Sequence, residues 1–183
     1  MDLDAVIAYF DAHFTRTAFR LEVMDYYDVE SDGDEYRRYL AGEEPDHDFK
    51  EPWLRVLRTE HAAGKLRHRV RVLTRPLNDY LRYECEWGYA PNSEAGEDIR
   101  VLDLSEQPRP AELIDEEFWL LDDNQVLQMR YDDTGKFVGA ELADDPARYR
   151  AARDAAIRAA EPFGAWWARH PEEHRRSWLT TAK

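Results

Sequence analysis

The spacing of apolar residues predicts helices at both ends of the chain. Within residues 3–14, leucine, valine, isoleucine and phenylalanine recur three or four positions apart, which is typical of an amphipathic helix. Alanine, tyrosine and isoleucine recur at the same spacing after Pro146, and Pro162 interrupts that pattern. Residues 163–167 are rich in aromatic side chains, and we expect them to form a second C-terminal helix that packs on the rest of the protein.

The N-terminal third is less regular beyond the first helix. Residues 18–27 fit neither the helical nor the strand period, so their structure is left open. Residues 31–34 have the composition of a turn, and residues 36–40 then predict a short helix that ends at Gly42. Residues 43–52 contain two prolines, which predicts a loop.

Two helices alternate with two strands in the middle of the chain. The first helix is predicted to begin at Trp53 and to end at Gly64, because glycine suits a helix C-cap. Residues 67–73 alternate with the period of a strand, and residues 77–87 return to helical spacing. Residues 99–104 form a short apolar run that predicts a second strand. This order is typical of two parallel strands joined by a crossover helix.

Three further strands are predicted at residues 118–121, 126–131 and 137–142. Residues 132–135, Asp-Asp-Thr-Gly, separate the last two strands and are a strong signal for a hairpin turn. We therefore expect an α/β fold of the mixed α+β kind. Its mixed sheet contains a parallel β-α-β unit that is extended by an antiparallel meander, with helices flanking the sheet at both termini.

The chain of 183 residues has the length of one domain. We expect residues 1–183 to form that domain in three parts. Residues 1–51 are an acidic helical part, residues 53–145 are the α/β core, and residues 146–183 are C-terminal helices. Hydrophobic residues make up 43% of the sequence, which is enough for a buried core despite the high content of charged residues.

The sequence predicts a cytoplasmic protein. Cys85 is the single cysteine, so the chain cannot form an intramolecular disulfide bond, which fits a reducing compartment. The first residues are acidic, unlike the start of a signal peptide. We expect no membrane association, because no stretch approaches the ~20 apolar residues that cross a bilayer.

Charge is unevenly distributed along the chain. The net charge is −14, yet residues 53–83 carry eight basic side chains against two acidic ones. Within that block, Arg67, Arg69 and Arg71 would share one face of the predicted strand, with His68 and Val70 on the other. Three guanidinium groups in a row require water or an anion. That anion could be an acidic segment of the same protein, carboxylates of a partner, or the phosphate of a ligand.

Motifs of catalysis and metal binding are absent from the sequence. Pairs of aspartates at residues 122–123, 132–133 and 144–145 fall in predicted turns, where aspartate bonds to nearby backbone groups. The six histidines lack the spacing of zinc ligands, and the glycine motifs of phosphate loops and nucleophile elbows do not occur. The net negative charge works against direct binding of nucleic acid. We expect no catalytic residues, no metal and no cofactor.

Three blocks of sequence resemble an uncharacterised actinobacterial domain family of unknown function. They are RVRVLTRPLNDYLRYE at residues 69–84, GEDIR at residues 96–100 and FWLLD at residues 118–122. Members of that family are often encoded beside helix-turn-helix regulators. The resemblance therefore implies a regulatory setting, with a helix-turn-helix regulator as the expected protein partner, and it implies no known activity.

The order of strands and helices is also similar to one half of a phospholipase D-like domain. Active members of that superfamily place a His-x-Lys pair on the strand that corresponds to residues 118–121. This stretch has neither histidine nor lysine. The resemblance therefore implies an inactive, regulatory version of the fold, and it bears on architecture more than on function.

Three hypotheses for the function follow. The first is a non-enzymatic regulatory or interaction protein that binds a partner and a small anionic ligand. The second is an enzyme for phosphoesters or nucleotides, in which Arg69, Arg71 and Arg82 clamp the phosphate and Asp79, Glu84 or Glu97 is the acid or base. The third is an acidic mimic of DNA. The same acids could instead pair with arginines inside the fold. The candidate binding residues are Arg69, Arg71, Asp79, Tyr80, Arg82, Glu97, Asp98 and Arg100.

Overall fold

The computed structural model describes residues 1–29 and 33–179. The described α-helices are α1 (Leu3–His13), α2 (Gly33–Leu40), α3 (His47–Ala62), α4 (Asp79–Tyr83), α5 (Ala90–Glu94), α6 (Pro146–Ala159), α7 (Phe163–Arg169) and α8 (Arg175–Leu179). A π-helix over Glu84–Tyr89 joins α4 to α5, and a short 3₁₀ turn over Pro171–Glu173 precedes α8. None of the described helices has the length and apolar content that a membrane span requires.

A seven-stranded mixed sheet runs through the protein. Its strands are β1 (Thr17–Glu22), β2 (Leu66–Leu73), β3 (Asp98–Asp103), β4 (Glu117–Leu121), β5 (Gln125–Tyr131), β6 (Phe137–Leu142) and β7 (Glu161–Pro162). Their order across the sheet is β6-β5-β4-β1-β2-β3-β7. Strands β1, β2 and β3 are parallel, whereas β4, β5 and β6 form an antiparallel meander next to β1. The mixed α/β fold predicted from the sequence is confirmed.

Strand β1 lies in the segment that the sequence left open. It pairs in parallel with β2 and antiparallel with β4, so it connects the parallel and antiparallel halves of the sheet. Residues from Ala18 to Glu22 are all buried, including Arg20 and Glu22. Because apolar and charged side chains are buried on opposite faces, the strand lacks the usual alternation between buried apolar and exposed polar positions.

Helices cover both faces of the sheet. On one face, Val70, Val72 and Leu102 pack with Phe118 under the alanine-rich helix α6. The other face carries the arginines of β2. It is covered by α1, by α3 and by the helical segment from α4 to α5 that connects β2 to β3. The predicted division of β2 into an arginine face and an apolar face is confirmed, but neither face is open to solvent.

Helix α3 begins earlier than the sequence predicts. Residues 43–52 were expected to be a loop, whereas the helix starts at His47 and contains Pro52. The reason is the N-cap: the Asp46 carboxylate accepts hydrogen bonds from the backbone N–H groups of Asp48 and Phe49. The carboxylate of Asp46 thus binds free N–H groups of the first turn, and the helix forms although Pro45 precedes it and Pro52 lies within it.

The paired aspartates act in turns, as the sequence predicts. Asp122 follows β4 with φ of 48°, and its carboxylate accepts hydrogen bonds from the backbone N–H groups of Thr15, Arg16 and Thr17. Asp132 accepts in the same way from the N–H of Thr134 within the β5–β6 hairpin. Asp122 thereby attaches the segment between α1 and β1 to the turn between β4 and β5.

Replacement of Asp122 by alanine should lower the free energy of unfolding by about 2–3 kcal/mol, because it removes hydrogen bonds to a charged acceptor. Alanine also tolerates positive φ less well than aspartate does. Asp144→Ala, at an exposed position, is the matched control and should change stability by less than about 0.5 kcal/mol. Urea denaturation followed by circular dichroism measures both values, and equal stability of the two variants would contradict the role of Asp122.

Candidate functional site

The three arginines of β2 have different partners although they share one face. Arg67 forms a bidentate ion pair with Glu60 of α3, with Nε–Oε2 and Nη2–Oε1 distances of 2.8 and 2.7 Å. Its guanidinium also lies over the rings of Phe10 and Trp53, at 4.7 and 5.1 Å from their centroids. Arg67 is therefore fully engaged in holding α1 and α3 to the sheet.

Arg69 lies between two buried carboxylates. Its Nε donates to Glu97 Oε1 at 2.8 Å, and its Nη1 donates to Glu22 Oε1 at 3.1 Å. Glu97 Oε2 accepts from the side-chain amide of Asn92 at 3.0 Å, and Glu22 Oε2 accepts from the hydroxyl of Tyr89 at 2.8 Å. Side chains of β1 and β2 are thus connected by hydrogen bonds to the π-helix and α5, which lead from β2 to β3.

Arg71 is completely buried and has far fewer partners. Its Nη1 donates to the hydroxyl of Tyr27 at 3.2 Å, and its guanidinium lies 5.1 Å from the centroid of the same ring. Its Nε and Nη2 have no hydrogen-bond acceptor among the residues that the structure describes. Within that same part of the chain, no carboxylate oxygen lies within 4.0 Å of Arg71.

Arg20 of β1 is a fourth arginine on this face, opposite Arg69 in the strand register. Its Nη2 donates to Glu117 Oε2 at 2.7 Å and lies 3.2 Å from the hydroxyl of Tyr131. The other oxygen of Glu117 accepts from the backbone N–H groups of Val23 and Met24. Arg20 Nη1 is buried and has no acceptor in the described part of the chain.

The cluster is balanced in charge but not in hydrogen bonds. Three arginines at positions 20, 69 and 71 face three glutamates at positions 22, 97 and 117. All six carboxylate oxygens have donors. In contrast, one nitrogen of Arg20 and two of Arg71 lack acceptors among the described residues. Buried donors without partners are costly, so this site is short of acceptor atoms.

The arginines hold Glu22 in its charged form. Burial alone would raise the pKa of Glu22, but the charges of Arg69, Arg71 and Arg20 outweigh it and set the pKa at about 2. Burial raises the pKa values of Tyr27 and Tyr80 above the ordinary tyrosine value. Both phenols therefore stay protonated at neutral pH and remain available as hydrogen-bond donors.

A cavity of about 220 Å³ opens beside this cluster. We call it the β1 pocket. Of the three parallel strands, only β1 lines it, through Arg20 and the C-terminal residue Glu22. Arg20 lines the pocket. Arg71 does not line it, but it contacts Tyr27, which does. The π-helix contributes Glu84, and π-helical turns are frequent at functional sites. The lining residues are Arg20, Glu22, Tyr27, Val29, Tyr80, Glu84, Trp119 and Tyr131.

Four of the eight residues predicted from the sequence come together here. Arg69, Arg71 and Glu97 belong to the buried network, and Tyr80 lines the β1 pocket. The pairing of Glu97 with Arg69 inside the fold was one of the alternatives that the sequence left open.

The other four predicted residues lie elsewhere. Arg82 donates through Nη2 to Glu173 at 2.8 Å and through Nη1 to Asp79 at 3.2 Å, which attaches α4 to the C-terminal segment. Asp98 and Arg100 pair with each other, at 3.3 Å, in register with His68 and Val70 on the face that α6 covers. The structure thus separates both pairs from the β1 pocket.

Sequence reasoning missed several residues of the site. Arg20, Glu22 and Tyr27 lie in or next to β1, where no periodicity was visible, and Glu117 and Tyr131 lie at strand ends of the meander. A usable signal was the Arg-Leu-Glu sequence at residues 20–22, which places opposite charges two positions apart between apolar neighbours. That spacing puts an arginine and a glutamate on the same face of a strand.

A second group of polar residues could be mistaken for a metal site. Asp103, Glu106 and His170 place ligand atoms within 4.8 Å of one another. However, Arg75 Nε already donates to Asp103 Oδ2 at 2.6 Å, and Arg169 Nη2 donates to Glu106 Oε2 at 2.9 Å. Two guanidinium groups neutralise these carboxylates, so the cluster holds α7 against β3 rather than forming a centre for a cation.

Arg71→Met and Arg69→Met form a matched pair for testing the missing acceptors. Arg69→Met should lower the free energy of unfolding by about 3–5 kcal/mol, because Glu22 and Glu97 lose their cation. Arg71→Met should lower it clearly less than Arg69→Met does. It leaves Glu22 without one of the charges that hold it ionised, but it breaks no direct ion pair and removes two buried donors that have no acceptor among the described residues. Urea denaturation of both variants provides the measurement. Equal destabilisation would show that Arg71 has partners in solution that satisfy it.

Protonation of Glu22 should contribute to acid unfolding. Because its folded-state pKa is lowered, to about 2, its contribution is present above about pH 5 and is lost as the pH falls toward 2. That contribution is on the order of 3 kcal/mol. The stability difference between the wild type and Glu22→Gln should therefore shrink as the pH falls, as measured by urea denaturation at several pH values. Glu94→Gln, at an exposed position, is the matched control.

Comparison with known proteins assigns the chain to a family. No curated protein matches the sequence at a significant level. A family model described as Domain of unknown function (DUF6879) matches residues 4–168, which include all seven strands of the sheet, helices α2 to α6 and all of α1 except Leu3. The buried arginine network and the β1 pocket lie entirely within the matched region. The chain therefore belongs to the DUF6879 family of domains of unknown function.

Proposed function

We propose that this protein is a non-enzymatic regulatory protein that binds a small anionic ligand in the β1 pocket. The observation that carries the proposal is the imbalance of hydrogen bonds: every carboxylate oxygen of the buried network has a donor, whereas three guanidinium nitrogens have no acceptor among the residues that the structure describes. One of them, Arg20 Nη1, belongs to a residue that lines the pocket and is 3% exposed. A ligand that brings acceptor atoms would satisfy what the described residues leave unsatisfied.

The chemistry of the site favours an oxyanion. Guanidinium groups bind carboxylate and phosphate oxygens through strong charge-assisted hydrogen bonds. The aromatic wall of Tyr27, Tyr80 and Trp119 suits a ligand with a flat or apolar body. The cavity of about 220 Å³ is smaller than the ~300–1,000 Å³ of pockets for drug-sized ligands. A small carboxylate or phosphate compound therefore fits best.

The geometry favours binding over catalysis. Asp79 is paired with Arg82, and Glu97 is paired with Arg69, so neither is free to act as a general acid or base. Arg82, expected to clamp a phosphate together with Arg69 and Arg71, is bound to Glu173 instead. The hypothesis of a phosphoester enzyme thus loses its clamp of three arginines and two of its three candidate acids, whereas the third, Glu84, lines the β1 pocket.

The proposal also includes a protein partner and a source organism. A helix-turn-helix regulator as protein partner and an actinobacterial source are inferred from the sequence resemblance alone. In this view the ligand changes the affinity for the partner through the segment after β1, because Tyr27 and Val29 of that segment line the pocket.

Thermal denaturation with defined anions tests the ligand site. We expect benzoate, 4-hydroxybenzoate, succinate or inorganic phosphate to raise the melting temperature by several degrees at concentrations of about 100 times their dissociation constants. Chloride at the same ionic strength should not do so. Panel concentrations up to about 10 mM would detect a dissociation constant near 1 mM.

Val29→Trp provides the specificity control, because it places a large ring at the mouth of the pocket from a residue that is 40% exposed. Val56→Trp, at a residue of α3 that is 42% exposed, is the matched variant away from the pocket. The anion response should disappear in the first variant and persist in the second. An unchanged response in Val29→Trp, or no response to any anion of the panel, would refute the proposal.

A further inference from the structure

A second cavity, separate from the β1 pocket, lies between helices α2, α3 and α5. Its volume is about 320 Å³, and we call it the α3 groove. The segment at residues 45–54 forms one wall, and the π-helix with the start of α5 forms the other. The lining residues are Glu35, Pro45, Asp46, His47, Phe49, Lys50, Glu51, Leu54, Tyr83, Glu86, Trp87, Ala90, Pro91 and Glu94.

The floor of the α3 groove is apolar and aromatic. Trp87 and Tyr83 contribute their rings, whose centroids are 6.0 Å apart. Phe49 on the opposite wall leaves 47% of its surface exposed, although it points into a concave region where burial would be favourable. A large aromatic side chain in this position is typical of a surface that another molecule covers.

The rim of the groove is strongly acidic. Five carboxylates line it, against the single lysine Lys50. Glu51 is paired with Arg58, and Glu35 with Arg38, so part of this charge is already compensated. Glu94 is exposed and forms no ion pair within the described part of the chain. The acids belong to four helical segments, namely α2, α3 with its N-cap, the π-helix and α5, so they surround the apolar floor instead of extending along one solvated helix face.

The protein itself shows which cation this aromatic surface accepts. The guanidinium of Arg175, from the start of α8, lies 5.1 Å from the Trp87 centroid and 4.9 Å from that of Tyr39. Its Nη1 donates to the backbone carbonyl of Glu43 at 2.6 Å, and its backbone N–H donates to Glu86 Oε1 at 3.3 Å. A guanidinium is therefore bound by a ring that also lines the groove, together with nearby oxygen acceptors.

We propose that the α3 groove is a docking site for a basic segment of a partner protein, in which arginine side chains alternate with apolar ones. The arginines would meet the acidic rim and the Trp87 ring, and an apolar side chain would cover Phe49 and Leu54. An acidic segment would be repelled by this rim, and a neutral one would leave the exposed Glu94 without a counter-charge from the described residues. The proposal is independent of the β1 pocket, because the two cavities have no lining residue in common.

A fluorescently labelled hexapeptide, Arg-Leu-Arg-Leu-Arg-Leu with blocked ends, tests the proposal by fluorescence anisotropy on the full chain. The control peptide carries citrulline in place of arginine, which keeps the shape of the side chain but removes its charge. We expect the arginine peptide to bind at least about tenfold more tightly than the citrulline peptide. We also expect this difference to shrink at high salt, because the rim charges are partly exposed.

The groove variant is Glu94→Gln combined with Phe49→Ser, both at exposed positions, so folding should be retained. The matched control is Glu141→Gln combined with Val138→Ser on strand β6. The groove variant should weaken arginine-peptide binding about tenfold or more, whereas the β6 variant and Val29→Trp should bind normally. Equal affinity for the two peptides, equal binding by both double variants, or no measurable binding would overturn the proposal.

Discussion

Both faces of β2 are covered by helices, so the guanidinium groups on one of them must find their hydrogen-bond partners inside the protein. This constraint organises most of the structure around that face. Arg67 brings α3 to the sheet through Glu60, and Arg69 connects β1 to the crossover segment through Glu22 and Glu97. Buried ion pairs of this kind contribute little net stability, because desolvation offsets their attraction. Their contribution is instead to select one arrangement of the segments that carry them.

The same constraint explains why the chain is acidic overall yet contains a basic central block. The glutamates that neutralise the buried arginines come from β1, α3, the segment before β3, and β4. These segments are far apart in the sequence, so the compensation is visible only in three dimensions. The basic block is thus compensated by ion pairs on this face of the sheet. The candidate site is marked by Arg71, which has no ion pair in the described part of the chain, and by Arg20 Nη1, which has no acceptor there.

The sequence predicts the architecture better than the site. Period-two alternation at residues 67–73 and the Asp-Asp-Thr-Gly turn depend on local physics, and both lead to the right elements. Strand β1 could not be predicted because it is buried on both faces and carries charges on one of them, which removes the amphipathic signal. Four of the eight candidate residues nevertheless belong to the network or the pocket, since the arginine row itself is a local pattern. The positions of its glutamate partners do not follow a local pattern, because pairing across strands depends on register.

The arginine face also has a consequence for the partly folded protein. A sheet whose covering helices detach normally exposes leucine and valine on its face, and such apolar surfaces associate with other molecules. If α4 and α5 separate from this sheet, the centre of the exposed face presents Arg20, Arg69, Arg71 and Glu22 to water. Solvated charges of both signs resist the close stacking that aggregation requires. The interior of this domain therefore protects the chain from aggregation at the stage when its core is open.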